Sequence, residues 1–394
     1  PRLAVFWLLP APRPTYNWLL SDSLLYNQMF ALDGAPTTYV EPLYPAFLAA
    51  VRWLSGDTAT LVLMAQIGVA ASGGVLLYLL GLRMVGSRAA LLAAAAYALY
   101  PYLVRQSVAY LALNLIIPIM FAVVLLLMRT ATVRQAAVAG IVFGLLVLTR
   151  ATFGLSLVAA SIWLGWRTQP RVGVALLAAA LAIQVPWALR NQRIDGSLLP
   201  TRIGENLLVS TSEYAEAVVP TYDIDALMPL VYDETVRISP HGESATQAEL
   251  DRLMLIRALR FVRDEPWRAA LLKLRNLLHL VDPRLLPRHP TGRNAMAYIE
   301  AGRVRLKGLR QRPFAHEAAH AAARTMLLLL ALLALWIRRI RPQDEPLLLM
   351  AVTQASFCVA FFPTSRLLLP TTTLMMIYAG TGAELLPRWI RRRG

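Results

Sequence analysis

Between Thr58 and Ile194 the chain carries no Asp or Glu. Arginines punctuate this tract, and between them lie apolar blocks close to the ~20 residues, with a range of about 17–25, needed to cross a bilayer. Soluble domains are about one-quarter charged. Here charged residues make up 16%, hydrophobic residues 57%, and the mean hydropathy is +0.52. These features predict an all-α polytopic membrane protein. Nine spans are expected, near 58–81, 87–103, 109–128, 135–149, 151–166, 172–189, 323–337, 346–362 and 367–387. Ahead of them, "RLAVFWLLP" (2–10) is too short to span and reads as the stub of a truncated first membrane helix.

The positive charge has a pattern. Alternate short loops carry Arg83 and Arg88, Arg129 and Arg134, Arg167 and Arg171, then Arg338, Arg339 and Arg341, and finally Arg388 and Arg391 to Arg393. The opposite short loops carry only Arg105, Arg150 and Arg366. By the positive-inside rule the arginine-rich loops face the cytoplasm. The first loop (13–57) and a long polar region (190–322) then lie outside. The formal charge of +16 is thus mostly a topology signal, and no nucleic-acid partner is expected. The polar region holds 16 of the 23 acids and 19 of the 39 basic residues, so it is nearly balanced and water-exposed. Two amphipathic helices are expected within it, at 247–264 and 266–281, as an interfacial lid. A single cysteine, Cys358, excludes a disulfide framework and a cysteine metal site. The organisation expected is 1–57 (stub and first loop), 58–189 (six spans), 190–322 (outer region) and 323–394 (three spans).

Three acids stand in the first loop, in "SDSLLYNQMFALDGAPTTYVEPLYP" (21–45). Ser21 is expected to cap a short helix that places Asp22 and Tyr26 one turn apart on its polar face. Asp33 reads as a turn residue before Gly34, which ends that helix. Glu41, before Pro42, has no local structural duty. "EPLYP" predicts an extended turn ahead of an amphipathic piece, "AFLAAVRWL" (46–54). A carboxylate at an outer membrane face can take a proton from an attacking hydroxyl. Arginines there can hold a departing phosphate. A lipid-linked sugar phosphate would be such a donor.

These segments resemble the polytopic lipid-dependent glycosyltransferases of the C-type fold. The branch they resemble is the bacterial relatives of protein O-mannosyltransferases and lipid A aminoarabinose transferases. Seven pieces occur in the family's order: "SDSLLYNQMFALDG", "EPLYPAFLAAVRWLSG", "AYALYPYL" (96–103), "GLLVLTRAT" (144–152), "VPWALRNQRIDGSLLPTRIGENLLVS" (185–210), "ALRFVRDEPWRAALLKLRNLL" (258–278) and "SRLLLPTTTLMMIYAG" (365–380). The resemblance implies an inverting transfer from a polyprenyl-phosphate sugar to a glycan, lipid or protein acceptor on the outer face of the inner membrane. Asp22 matches the catalytic base. Arg150 and Arg366, with Arg105 added, match donor-phosphate ligands. Tyr26, Arg190 and Asn191 fall in the substrate region, and Glu41 orients the acceptor or a divalent metal. No other cofactor is indicated. Two departures stand out: Glu41 lacks the lysine that separates it from proline in the aminoarabinose branch, and Asn114 stands where relatives carry an acid.

Two other readings compete. The same arginines could serve an anionic-lipid transporter or flippase without transfer chemistry, although internal repeats are not visible. "HEAAH" (316–320) fits the H-E-x-x-H pattern of zinc metalloproteases. Its position, running straight into the span at 323, favours an Ala-rich helix extending out of the membrane.

Overall fold

A computed structural model describes residues 2, 15–32, 34–198, 202–218, 224–283, 296–300, 303–307 and 314–391. Of the expected stub, all but Arg2 lies outside the described residues. The helices are α1 (Tyr16–Asn27), α2 (Leu43–Ser55), α3 (Ala59–Met84), α4 (Ser87–Leu99), α5 (Pro101–Gln106), α6 (Leu113–Leu127), α7 (Val133–Thr149), α8 (Phe153–Arg167), α9 (Pro170–Asp195), α10 (Ile203–Thr211), α11 (Glu213–Val218), α12 (Ile224–Ile238), α13 (Gln247–Asp264), α14 (Pro266–His279), α15 (Phe314–Ile337), α16 (Glu345–Ala360) and α17 (Ser365–Arg391). Two small antiparallel hairpins accompany them, β1 (Ala31–Leu32) with β2 (Ala35–Pro36), and β3 (Met296–Glu300) with β4 (Arg303–Lys307).

Each expected span overlaps helix, although 109–112 lies outside it, and a backbone in lipid must satisfy its own hydrogen bonds. One boundary differs in kind. The apolar run 87–103 is not one helix, since Pro101 starts α5 and leaves Tyr100 extended at ψ 116. A residue before proline is disfavoured in the helical region, so the chain turns there. Among the described residues, three helical stretches are long and apolar enough to cross a membrane: α3, α9 and Ala318–Ile337 within α15. At 26 residues each, α3 and α9 are about 39 Å long at ~1.5 Å per residue. The helices α4, α6 and α7 are apolar but shorter.

Packing divides the chain into two compact units. The first comprises Pro1–Trp187, Ala323–Gln354 and Leu369–Gly394. Its core gathers Leu77, Tyr97, Phe121, Phe143, Phe153, Leu176, Leu347 and Tyr378. Outside that core it is still apolar: Leu79, Leu91, Leu99, Ile162, Leu181, Leu329 and Leu332 are exposed on the span helices. Lone exposed hydrophobics are ordinary, but a helical surface this apolar belongs in lipid. The chain is a membrane protein.

Within this unit the connectors fall into two groups. In one, Arg338 Nη2 and Gln343 Nε2 donate to the Met84 carbonyl, and Arg167 Nη1 pairs with Glu345 at 2.6 Å. In the other, Tyr110 O accepts from Thr15 and Asn17, and Glu41 accepts from the Ala151 amide. The arginine-rich connectors therefore meet one another, and the first loop meets the arginine-poor ones.

The second unit comprises Ala188–Ala322 and Ala355–Leu368. Helices α10 and α13 pack through Leu208, Val209, Leu250, Met254 and Ala258. Asp251 caps α10 by accepting from the Glu205 amide at 2.9 Å. The two expected amphipathic helices are α13 and α14. On α14, Ala269, Leu272 and Asn276 face inward, while Trp267, Leu271, Leu274 and Leu278 form an exposed stripe. Beside it, Lys273 donates to Thr211 Oγ1 at 2.6 Å and to Ser210 O at 3.0 Å, and burial pulls its ammonium down to about 8.

Close helix approach in the first unit depends on small residues. A methyl group on Gly140 would meet the Leu176 carbonyl and the Ala179 side chain, and one on Gly380 the Ala89 carbonyl. Gly68 has open space instead. Replacing Gly140 or Gly380 by Val is expected to cost about 1–3 kcal/mol through overpacking. Thermal unfolding of the full chain in detergent checks this, with Gly68→Ala as the control that leaves the midpoint in place.

Candidate active site

The first loop is assembled from three short elements. Helix α1 begins after Thr15, whose hydroxyl and the neighbouring Asn17 amide tie it to the Tyr110 carbonyl at 3.1 and 3.3 Å. Ser21 does not cap a helix as expected. It lies buried in the middle of α1, donating to Trp18 O at 2.7 Å. The helix also ends earlier than Gly34, at Asn27, followed by Gln28 in the left-handed region at φ 53. Gly34, at φ 80, lies between β1 and β2, a position that suits a residue without a Cβ. Asp33 lies outside the described residues. Helix α2 starts within "EPLYP", at Leu43, and Pro45 is tolerated in its first turn because an amide there has no helical acceptor.

What joins these elements is Arg52, on the buried face of α2 and only 2% exposed. Its Nη2 meets Asp22 Oδ1 at 2.5 Å, and its Nε meets Asp57 Oδ1 at 2.5 Å. Its Nη1 donates to Ser21 Oγ at 2.8 Å, and its guanidinium lies 4.2 Å from the Trp18 ring centroid. Asp57 returns to Arg52 because α2 closes on Gly56 at φ 61 and Asp57 at φ 62, two consecutive left-handed residues. Tyr26 completes the group by donating from its hydroxyl to Asp57 Oδ2 at 2.5 Å. The Arg52 guanidinium holds the Asp57 carboxyl below its usual range, and the bond to Asp57 pushes the Tyr26 phenol up. Burial alone would lower Arg52, but the hydrogen bonds it donates to Asp57 and Asp22 reverse this, and it stays a permanent cation.

Asp22 is therefore held at one oxygen while the side chain remains 36% exposed. Its ion-pair partner is Arg52, rather than Arg105, Arg150 or Arg366. Neither Arg52 nor Asp57 stood out in the sequence. Their signal was a single cation inside an apolar amphipathic stretch, followed five residues on by an acid after glycine.

The other expected residues are placed as follows. Glu41 Oε1 accepts from the Ala151 amide at 2.9 Å, which brings it to the peptide that follows Arg150. Arg105 sits half-buried in the last turn of α5. The connector after it is pinned by Gln66: its Nε2 donates to Ser107 O and Ala109 O, each at 2.9 Å, while its Oε1 accepts from the Tyr44 hydroxyl. Asn114 donates to the carbonyls of Gln106 and Ala109, so its amide serves the connector. Arg366, Arg190 and Asn191 belong to the second unit, where Arg190 donates to Asn191 Oδ1 at 3.1 Å. Among the described residues no three His, Cys, Asp or Glu side chains converge as metal ligands. The "HEAAH" segment is part of α15, and His320 is buried, while the side chains of His316 and Glu317 lie outside the described residues.

No protein-family model matches the chain, and no curated protein matches it in sequence. Solved structures do match. The archaeal oligosaccharyltransferase AglB from Archaeoglobus fulgidus, in complex with an inhibitory peptide and a dolichol-phosphate, is similar with a TM-score of 0.51 and 15% identity. The match covers 96% of this chain and 47% of that one, so the chain spans about half the length of AglB. ArnT from Cupriavidus metallidurans is also similar, in the apo state (TM-score 0.41, 14% identity) and bound to undecaprenyl phosphate (0.44, 15%), each over 98% of this chain and 78% of ArnT. The likeness to AglB shows the fold. It is the C-type glycosyltransferase fold, as the sequence resemblance implied.

The Arg52 clamp has a pH signature. A carboxyl held below its ordinary value stabilises the fold above the unfolded value, about 3.9 for Asp. That contribution is lost as pH falls through the still lower folded value. The thermal midpoint of the wild type should exceed that of Asp57→Asn at pH 7. The gap should close as the pH is taken below about 4.

Proposed function

We propose that the chain is an inverting glycosyltransferase that moves a sugar from a polyprenyl-phosphate donor to an acceptor hydroxyl on the outer face of the inner membrane. The observation that carries this reading is Asp22: a partly exposed carboxylate held at one oxygen by a buried arginine, in the first loop of a C-type fold. AglB was solved with a dolichol-phosphate and ArnT with undecaprenyl phosphate, and a donor of that class suits the arginine-bearing loops here.

In this mechanism Asp22 Oδ2 takes the proton of the acceptor hydroxyl as its oxygen attacks the anomeric carbon. The bond from that carbon to the phosphate oxygen breaks, and the lipid phosphate leaves with the electron pair. Arg150, with Arg105, is the proposed ligand for the charge that grows on the phosphate; Arg366, a residue of the second unit, is a candidate for that duty on the sequence resemblance alone. Arg52 is a positioning residue, since it reaches the reaction through Asp22. Glu41, bonded to the Ala151 amide, is proposed to orient the acceptor beside Arg150. The acceptor is a glycan, lipid or protein hydroxyl.

Asp22→Asn is the direct test, because asparagine can still accept from Arg52 but is no base. Transfer of labelled sugar from a polyprenyl-phosphate donor should fall about 10²–10⁴-fold with donor binding kept. Unchanged turnover would remove Asp22 from the mechanism. Donor movement across vesicles with no transfer in the wild type would favour a flippase. Activity that instead depends on His316 and His320, with zinc copurifying, would favour a protease.

A further inference from the structure

A cavity of about 640 Å³ opens at the end of the first unit where the arginine-rich connectors meet. The end of α3 and the α3–α4 turn form one wall, through Arg83 and Gly86. The connector from α15 to α16 forms another, through Arg338, Arg341 and Gln343, and α17 closes it with Thr381 and Glu384. The walls are built rather than incidental. Arg338 Nη2 donates at 3.0 Å both to the Met84 carbonyl and to the buried Asp344 carboxylate. Gln343 Nε2 donates to the same Met84 carbonyl at 2.9 Å. The Arg341 amide donates to Asp344 Oδ2 at 2.8 Å, which fixes the connector's direction.

Charge in the cavity is unbalanced. Asp344 neutralises Arg338, and Glu384 is the other acid present. Arg83 and Arg341 have no carboxylate partner among the described residues, and Arg129 adds its positive charge within reach of Arg83. A topology signal needs arginines only somewhere in the connector. It does not require two of them to face one pinned, concave space in which Glu384 is the acid among the described lining residues.

We propose that this cavity is a binding site for a phosphate-bearing headgroup, supplied by an anionic phospholipid of the leaflet opposite the candidate active site. Guanidinium groups match phosphate oxygens in geometry and charge. Basic pockets between membrane helices on the cytoplasmic side are suited to such headgroups. Ile337, exposed at the cavity's rim, and Leu385 give the acyl chains an apolar approach. A soluble phosphate would use the same arginines, and the two sources separate by experiment. The site is independent of the proposed transfer reaction, since none of its residues belongs to that machinery.

The test is native mass spectrometry of the full chain in detergent, titrated with phosphatidylglycerol or phosphatidylcholine. The comparison is wild type against Arg83→Ala/Arg341→Ala, leaving the structural Arg338 in place. Wild type should prefer phosphatidylglycerol, and the double variant should bind it at least about tenfold more weakly. Arg83→Lys/Arg341→Lys should keep most of the binding, with unchanged thermal midpoints excluding misfolding. Inorganic phosphate that displaces the lipid, or binds in an arginine-dependent way without lipid preference, also supports the phosphate site, the latter assigning it to a soluble ligand. Equal binding of both lipids by wild type and double variant, with no phosphate effect, would overturn the proposal. Sugar transfer should be retained in the double variant, so a failure here leaves the catalytic reading standing.

Discussion

A buried guanidinium needs partners, and the first loop is organised by that need. Removing the counter-ions of a buried charge costs several kcal/mol, because the desolvated cation is left uncompensated. Arg52 answers this with Asp22 from one helix, Asp57 from the turn after its own helix, Ser21 and the Trp18 ring. Those contacts hold α1 against α2, beside the apolar packing of Trp18 with Tyr44 and Leu48. They also determine where the Asp22 carboxylate stands. Fold and candidate chemistry therefore meet at a residue that performs no chemistry itself.

The rest of the first unit follows the demands of lipid. Helices satisfy their own backbones, present apolar side chains outward and approach one another at glycines. Polar bonding is kept for the ends. At one end the first loop is stitched to the connectors at Tyr110 and Ala151. At the other, Met84, Arg338 and Asp344 bind the arginine-rich connectors together. Each end is polar for a different reason: one presents carboxylates, the other an excess of cations.

The helical, apolar character of the chain was legible in the sequence because hydropathy is a property of composition along the chain. Asp22 stands out there as a candidate, an acid with a tyrosine four residues on. The helix around it was misread at both ends. Ser21 looks like a cap by residue type, yet it is buried by Arg52, a partner 31 residues away. The 87–103 run looks continuous by hydropathy, but the backbone preference before Pro101 divides it.

By itself the sequence determined the membrane class, the alternation of arginine-rich and arginine-poor connectors, and the family pattern that implied the C-type fold. These depend on local hydrophobicity, which acts wherever the residue happens to pack. Only tertiary structure decided which arginine faces Asp22. The outer arginines were the natural candidates, but pairing depends on distance, and Arg52 reaches Asp22 through the packing of α1 on α2. The same holds for the Arg83 and Arg341 cavity. Far apart in the chain, they share one space because Arg338 and Gln343 bind the last carbonyl of α3.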